Sequence, residues 1–198
     1  MIILFLFQLI SLIMPADSAV SSVSLTNSSL TVCSMNVWGL KYIAPDRKAR
    51  LSTLARSFPN SHCDIIALQE LFVSGDFDLL ESHLRRILPF SIWFRQGVVG
   101  AGLAFFSRYP IIRAQFMPYR ATGKFRQWLH GDWFAAKGLA HIQVLYQNTP
   151  INLLNTHMIA NYPTKDLYLV HRYAETFELA RYVSSLKDPF IILGIPLE

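Results

Sequence analysis

Cysteine is scarce: Cys33 and Cys63 are the two in 198 residues, and they cannot supply the paired spacings that hold structural zinc. Each falls in or beside an apolar run, where cysteine is a small buried hydrophobe. The two could also pair in an oxidising compartment. Long hydrophobic runs are missing as well. The most apolar stretch, Ile2 to Met14, interrupted by Gln8 and Ser11, falls short of the about 20 apolar residues that an ordinary membrane-spanning helix needs. Its length suits the apolar region of a secretory leader, with Ala16 and Ser18 as the small residues of a cleavage site. No Lys or Arg precedes it, and an uncleaved anchor is the alternative. Acidic residues are outnumbered, 13 against 18 basic, for a formal charge of +5. That excess, which includes Arg85, Arg86, Arg95, Arg108, Arg113, Arg120, Lys124 and Arg126, is either a solvated basic face or a surface for phosphate-bearing partners such as membrane headgroups or nucleic acid.

No internal repeat or low-complexity tract divides the chain, and its length fits one domain. The expected organisation is a leader or anchor over 1–18, a polar spacer over 19–29 with a glycosylation sequon at Asn27-Ser28-Ser29, and one folded domain over 30–194. Strands are expected at Leu30 to Val37, Asp64 to Leu68, Ser91 to Arg95, Gly102 to Ser107, Ile111 to Met117, Phe134 to Val144, Ile151 to Asn155 and from Phe190. Helices are expected at Asp46 to Phe58, with Asp46 as N-cap, at Phe77 to Leu88, and at Asp166 to Leu186. In the last helix Leu167, Val170, Ala174, Phe177 and Ala180 are spaced as an inward stripe. This order predicts an α/β fold, two sheets packed face to face with helices outside.

Three of the strands end on a polar residue that could carry chemistry: Asn36, Glu70 and His157. A carboxylate at a strand end suits a hard cation such as Mg²⁺, which takes one or two protein oxygens and keeps several waters. An amide can orient a phosphate oxygen or a metal-bound water, and an imidazole can donate to a phosphoryl oxygen as negative charge builds there. Each alone is as well explained as a turn former, an edge residue or a structural histidine. The trio together points to phosphate ester chemistry.

Asn36-x-Trp38-Gly39, Leu68-Gln69-Glu70, Gly102-Leu103 followed by Ser107-Arg108-Tyr109-Pro110-Ile111, and Asn155-Thr156-His157 resemble, in order and spacing, the signature of the endonuclease/exonuclease/phosphatase superfamily, with its DNase I-like sandwich. The segment His130-Gly131-Asp132-Trp133-Phe134 with Lys137-Gly138, and Leu169-Val170-His171-Arg172, resemble stretches of the small Mg²⁺-dependent neutral sphingomyelinases. That resemblance implies that Glu70 binds Mg²⁺, that Asn36 places the phosphodiester, and that His157 stabilises the pentacovalent phosphorus. It also implies that Asp132 and Lys137 form a charge pair that gates the site. Implied with it are sphingomyelin or a related phospholipid as substrate, a membrane surface, neutral or anionic, as partner, and ceramide and phosphocholine as products.

The sequence departs from the family pattern in two places. Where the pattern continues with Gly-Asp-x-Asn, this chain reads Gly194-Ile195-Pro196-Leu197-Glu198, and the later Asp-His pair that carries the family's general base is not matched; residues 195–198 are a non-family ending. Ile159 stands where many relatives carry a second His. The expectation is therefore a sphingomyelin phosphodiesterase by resemblance, entering the secretory pathway, with little or no activity in this polypeptide alone. A secreted nuclease of the same superfamily and a non-catalytic lipid-binding product are the alternatives; nucleic acid is not the expected partner.

Overall fold

A computed structural model describes residues 8–12, 29–95, 101–120, 137–158 and 169–194. Asn27, Asp132, Ile159 and residues 195–198 lie outside the described residues, so the sequon, one half of the expected charge pair and the non-family ending carry no structural account. In chain order the elements are β1 (Gln8–Leu12), β2 (Leu30–Asn36), α1 (Arg47–Ser57), β3 (Ile65–Gln69), α2 (Ser74–Leu84), β4 (Phe90–Phe94), β5 (Leu103–Ser107), β6 (Ile111–Pro118), β7 (Gly138–Tyr146), β8 (Thr149–His157), α3 (Leu169–Val183) and β9 (Phe190–Gly194).

The strands form two mixed sheets, ordered β1-β2-β3-β5-β4 and β6-β7-β8-β9. Within them β2 runs parallel to β3 and β8 parallel to β9, and the other pairings are antiparallel. The two parallel pairings decide the function of the fold, because each brings two strand C-termini to the same rim. All five residues of β3 and all five of β5 are buried, as strands covered on both faces must be, and they read as continuous apolar runs rather than alternating ones. Alternate residues of the sheets meet in a shared core: Val32, Ile65, Ala67, Leu103 and Phe105 face Ala140, Ile142, Val144, Leu153 and Leu193. The outer face of the first sheet, with Cys33, Met35, Ile66, Leu68 and Phe106, is covered by Leu51 and Ala55 of α1 and by Phe77, Leu80 and Leu84 of α2. On the outer face of the second sheet Leu139 and Leu154 meet Leu179 of α3. The expected two-sheet sandwich with outer helices is present.

Cys33 and Cys63 are joined in a disulfide, their Cα atoms 6.0 Å apart. It ties β2 to the turn before β3 across 30 residues of chain. The apolar N-terminal stretch supplies β1, which pairs antiparallel along β2 from Gln8↔Ser34 to Leu12↔Leu30. A chain cut after Ser18 would lose this strand and leave the β2 edge unpaired, so the roles of leader and edge strand exclude each other in one molecule.

Asp46 is the N-cap of α1, as expected, with φ 50° and no side-chain capping bond; its carbonyl accepts the first intrahelical bond, from Arg50 N at 2.9 Å. Two local expectations are corrected. Helix α2 begins three residues before Phe77 and ends at Leu84. Ser74-Gly75 reads as loop by composition, yet buried Asp76 in the first turn pairs with Arg47 of α1, and a carboxylate there also complements the helix dipole. In α3 the inward residues are Arg172, Glu175 and Leu179, while Val170 and Phe177 of the expected stripe are 76% and 64% exposed. Both sets obey the helical period. The inward one was hidden because it carries two charged side chains, which composition assigns to water.

Candidate active site

Asn36 and Gln69 are register partners across the parallel β2 and β3, so the amide at the end of one strand meets the carboxylate just past the end of the other. Asn36 Nδ2 donates to Glu70 Oε1 at 2.7 Å, and Asn36 Oδ1 accepts from Trp38 N at 2.8 Å. The asparagine is thus fixed at both ends, one pointing its donor at Glu70 and the other closing a turn on its own chain. Glu70 has φ 59° and Trp38 φ 45°, left-handed backbone that non-glycine residues adopt at a cost of about 1–3 kcal/mol each. The surroundings hold them there. Gly39 N donates to Glu70 O at 2.9 Å, and a Cβ on Gly39 would lie 2.3 Å from that oxygen. Arg50 of α1 donates to the carbonyls of Val37 and Trp38, at 2.9 Å each, and its guanidinium lies 5.4 Å from the centre of the Trp38 ring.

His157 arrives from the second sheet at the end of β8. Its Nε2 lies 3.7 Å from Glu70 Oε1, beyond hydrogen-bonding reach. The imidazole is buried, and burial, with a smaller contribution from the charge of Lys137, lowers its pKa well below the ordinary histidine value despite the carboxylate nearby. It is therefore neutral near pH 7, with one ring nitrogen carrying a proton and the other free to accept. Nδ1 is buried without a hydrogen-bond partner among the described residues. Lys137 directly precedes Gly138, the register partner of His157, which explains why its charge is felt there. The trio drawn from strand ends is thus brought together, with Lys137 beside it. Asp132, the expected partner of Lys137, lies outside the described residues.

The arrangement fits a hard divalent cation held mainly by water. Glu70 keeps one carboxylate oxygen clear of the Asn36 bond and its side chain is 17% exposed. Among the described residues no three His, Cys, Asp or Glu side chains gather into a closed metal cage. A single carboxylate oxygen site with room for solvent is the coordination that Mg²⁺ accepts and structural zinc does not. His157 Nε2 faces that carboxylate at 3.7 Å, and an imidazole N–H is of a kind to donate to an oxygen-bearing ligand.

Three contributors escaped the sequence reading. Arg50 lies inside a helix and carries no signal of its rim contacts. Gln69 and Asn155 were read merely as neighbours of Glu70 and His157, yet their side chains meet across the sandwich at 2.7 Å. Both are polar residues inside otherwise apolar strands, and that was the available sign.

Comparison with known proteins bears on the family and the fold. Residues 33–194 match the model of the Endonuclease/Exonuclease/phosphatase family. Among curated proteins, human sphingomyelin phosphodiesterase 2 is 32% identical over 167 residues, covering 83% of this chain and 40% of that protein. The inositol phosphosphingolipids phospholipase C of Schizosaccharomyces pombe is 32% identical over 154 residues, covering 77% of this chain and 36% of that protein. The chain thus spans well under half the length of these relatives. Among solved structures, sphingomyelinase C from Streptomyces griseocarneus superposes with a TM-score of 0.69 at 16% identity, covering 83% of this chain and 63% of that one. A mutant of beta toxin from Staphylococcus aureus with bound magnesium ions superposes with a TM-score of 0.68 at 19% identity, covering 82% and 63%. At such identities the superpositions speak for the fold. With the family model matched over 162 of the residues, the chain belongs to the Endonuclease/Exonuclease/phosphatase family.

Proposed function

We propose that this rim binds Mg²⁺ and the phosphodiester of a sphingophospholipid, and that its chemistry is the hydrolysis of that ester. The observation that carries the reading is the convergence of Asn36, Glu70 and His157 from three strands and both sheets, at 2.7 and 3.7 Å. In the reaction, water oxygen bonds to phosphorus and the bond from phosphorus to the lipid hydroxyl oxygen breaks, so that a ceramide-type alcohol leaves and the phosphorylated headgroup is released. Glu70 would hold the Mg²⁺, which when bound neutralises charge on the phosphoryl oxygens. Asn36 fixes the Glu70 carboxylate and keeps one amide proton for a phosphoryl oxygen. Neutral His157 offers its N–H to the oxygen on which negative charge grows. Lys137 adds positive charge at the same rim and favours the anionic substrate.

The described rim residues include no obvious general base for the water, a role typically worth about 10²–10⁴-fold in rate. Binding is therefore the property that the described rim residues can carry: the rim engages the lipid together with Mg²⁺. Sphingomyelin is favoured over nucleic acid by the relatives matched, and the S. pombe relative makes an inositol-bearing headgroup the nearest variation. The disulfide supports folding in an oxidising, secretory compartment. The basic balance supports docking on anionic membrane.

The test compares sphingomyelin vesicles, inositol phosphosphingolipid vesicles and DNA, each with Mg²⁺ and with chelator, for binding and for hydrolysis. Mg²⁺-dependent binding to one of the lipids, with Glu70→Gln weakening Mg²⁺ affinity about 10–100-fold or more, is the expected result. Cleavage of DNA without engagement of lipid would replace this reading with the nuclease one.

A further inference from the structure

We propose that Gln69 and Asn155 are positioning residues: a buried amide clamp between the two sheets that sets the separation of Glu70 from His157. The proposal rests on the reading of those two groups as the metal and phosphate contacts. Gln69 is 1% exposed and Asn155 0%. Gln69 Nε2 donates to Ser34 Oγ at 3.1 Å and to Asn155 Oδ1 at 2.7 Å. Asn155 Nδ2 donates to Leu68 O at 2.9 Å and to Ala104 O at 3.4 Å. Four strands are joined in this way, β2, β3 and β5 of one sheet and β8 of the other, and every amide proton of the pair has an acceptor.

Satisfying these groups would not by itself require that they exist. The surrounding interface is apolar, and apolar contact holds two sheets together without fixing how far one slides over the other. Hydrogen bonds are short and directional, so they fix it. The clamp sits where sliding would matter most. Gln69 is the residue before Glu70. Asn155 is two residues before His157, on the same face of β8 by the period of a strand. A shift of β8 against β3 would pass directly into the 3.7 Å gap between the two functional groups, and constellations of this kind tolerate displacements of only about 0.5 Å.

The experiment separates placing from packing. In the double variant Gln69→Met/Asn155→Leu both partners become apolar and of similar size, which leaves far less buried polarity unpaired than either single change. The probes are Mg²⁺ alone, inorganic phosphate alone, and Mg²⁺ titrated calorimetrically in the presence of phosphate, with thermal unfolding as the measure of folding. Mg²⁺ reports Glu70, phosphate reports His157, and the factor by which phosphate tightens Mg²⁺ reports the distance between them. The expected result is a double variant that unfolds near the wild-type temperature and binds Mg²⁺ alone within about twofold of wild type. Its coupling factor should fall from about fivefold or more towards one. A folded double variant with wild-type coupling would overturn the clamp and leave the functional reading standing. Wild-type protein that binds neither Mg²⁺ nor phosphate would overturn both. Should the double variant fail to fold, Gln69→Met alone, which keeps both carbonyl contacts of Asn155, decides the matter on the same terms: coupling lost supports the clamp, coupling kept ends it.

Discussion

The two sheets contribute one functional group or more each to the rim, yet they are secured in different ways. The first, which carries Asn36 and Glu70, is stapled by the Cys33–Cys63 disulfide and covered by the apolar faces of α1 and α2. The second, which carries Lys137 and His157, is covered by α3 through a small apolar cluster and a polar seam. In that seam His141 Nε2 donates to Asn152 Oδ1 at 2.8 Å, the Tyr182 hydroxyl donates to His141 Nδ1 at 2.6 Å, and Gln115 bonds the Tyr182 oxygen. An acceptor-only oxygen on Nε2 fixes the neutral tautomer, and a proton added at Nδ1 would reverse the bond to Tyr182 and bring a charge into the partly buried seam. One half of the site is thus held mainly by covalent and apolar means, with the Arg47–Asp76 ion pair between its covering helices, and the other by a hydrogen-bonded seam built around a histidine. The two sheets are secured by different chemistry, while catalysis as proposed needs both.

Removing the staple should produce the largest effect. Cys33→Ala/Cys63→Ala frees a 30-residue loop in the unfolded chain, for an expected loss of roughly 3–4 kcal/mol in denaturant unfolding. The loss should be felt in the first sheet, so hydrogen exchange there would rise towards that of α3; an unchanged pattern would erase the contrast. The second effect is a pH dependence. Burial, opposed by the Asn152 bond and assisted by Arg113, lowers the pKa of His141, so the unfolded chain binds this proton more readily than the folded one. The stability it contributes is full above the unfolded value of about 6.5 and is lost as pH falls through the folded value. His141→Phe should lower stability at pH 7 by about 1–2 kcal/mol through its lost bonds and flatten the decline as pH falls below the unfolded value, measured by thermal unfolding. Phe177→Ser, on the outward side of α3 at 64% exposure, should change stability by no more than about 0.5 kcal/mol. A larger loss there would mean that α3 is covered in solution and that the second sheet is better secured than its seam suggests.

The strands were legible because the buried ones are apolar runs with clear turn signals around them, and the three rim residues because each interrupts such a run at its end. What stayed hidden shares a physical cause. Arg172 and Glu175 of α3 point inward and Asp76 is buried in the first turn of α2. A reading that sends charge to solvent must place all three wrongly. The pairing of Gln69 with Asn155 spans 86 positions of sequence and depends on how two sheets are stacked, which no local period encodes. The left-handed backbone of Glu70 is likewise a product of its surroundings, since nothing about a glutamate announces it.

The parallel register of β2 and β3 has a consequence for how this scaffold tolerates change in length. Asn36 and Glu70 meet because Val32↔Ile65 through Asn36↔Gln69 are aligned without a bulge. The long excursion between them, through exposed Tyr42 and Ile43 and around α1, does not set that alignment. Residues added at Leu40 to Pro45 would lengthen a surface loop and leave the two side chains facing one another. A single residue added within Ile65 to Gln69 would turn alternate side chains to the opposite face, sending Gln69 away from Asn155 and carrying Glu70 off the rim. The same stretch of chain is therefore permissive and unforgiving by turns, and any grafting or diversification of this fold should respect the boundary between the two.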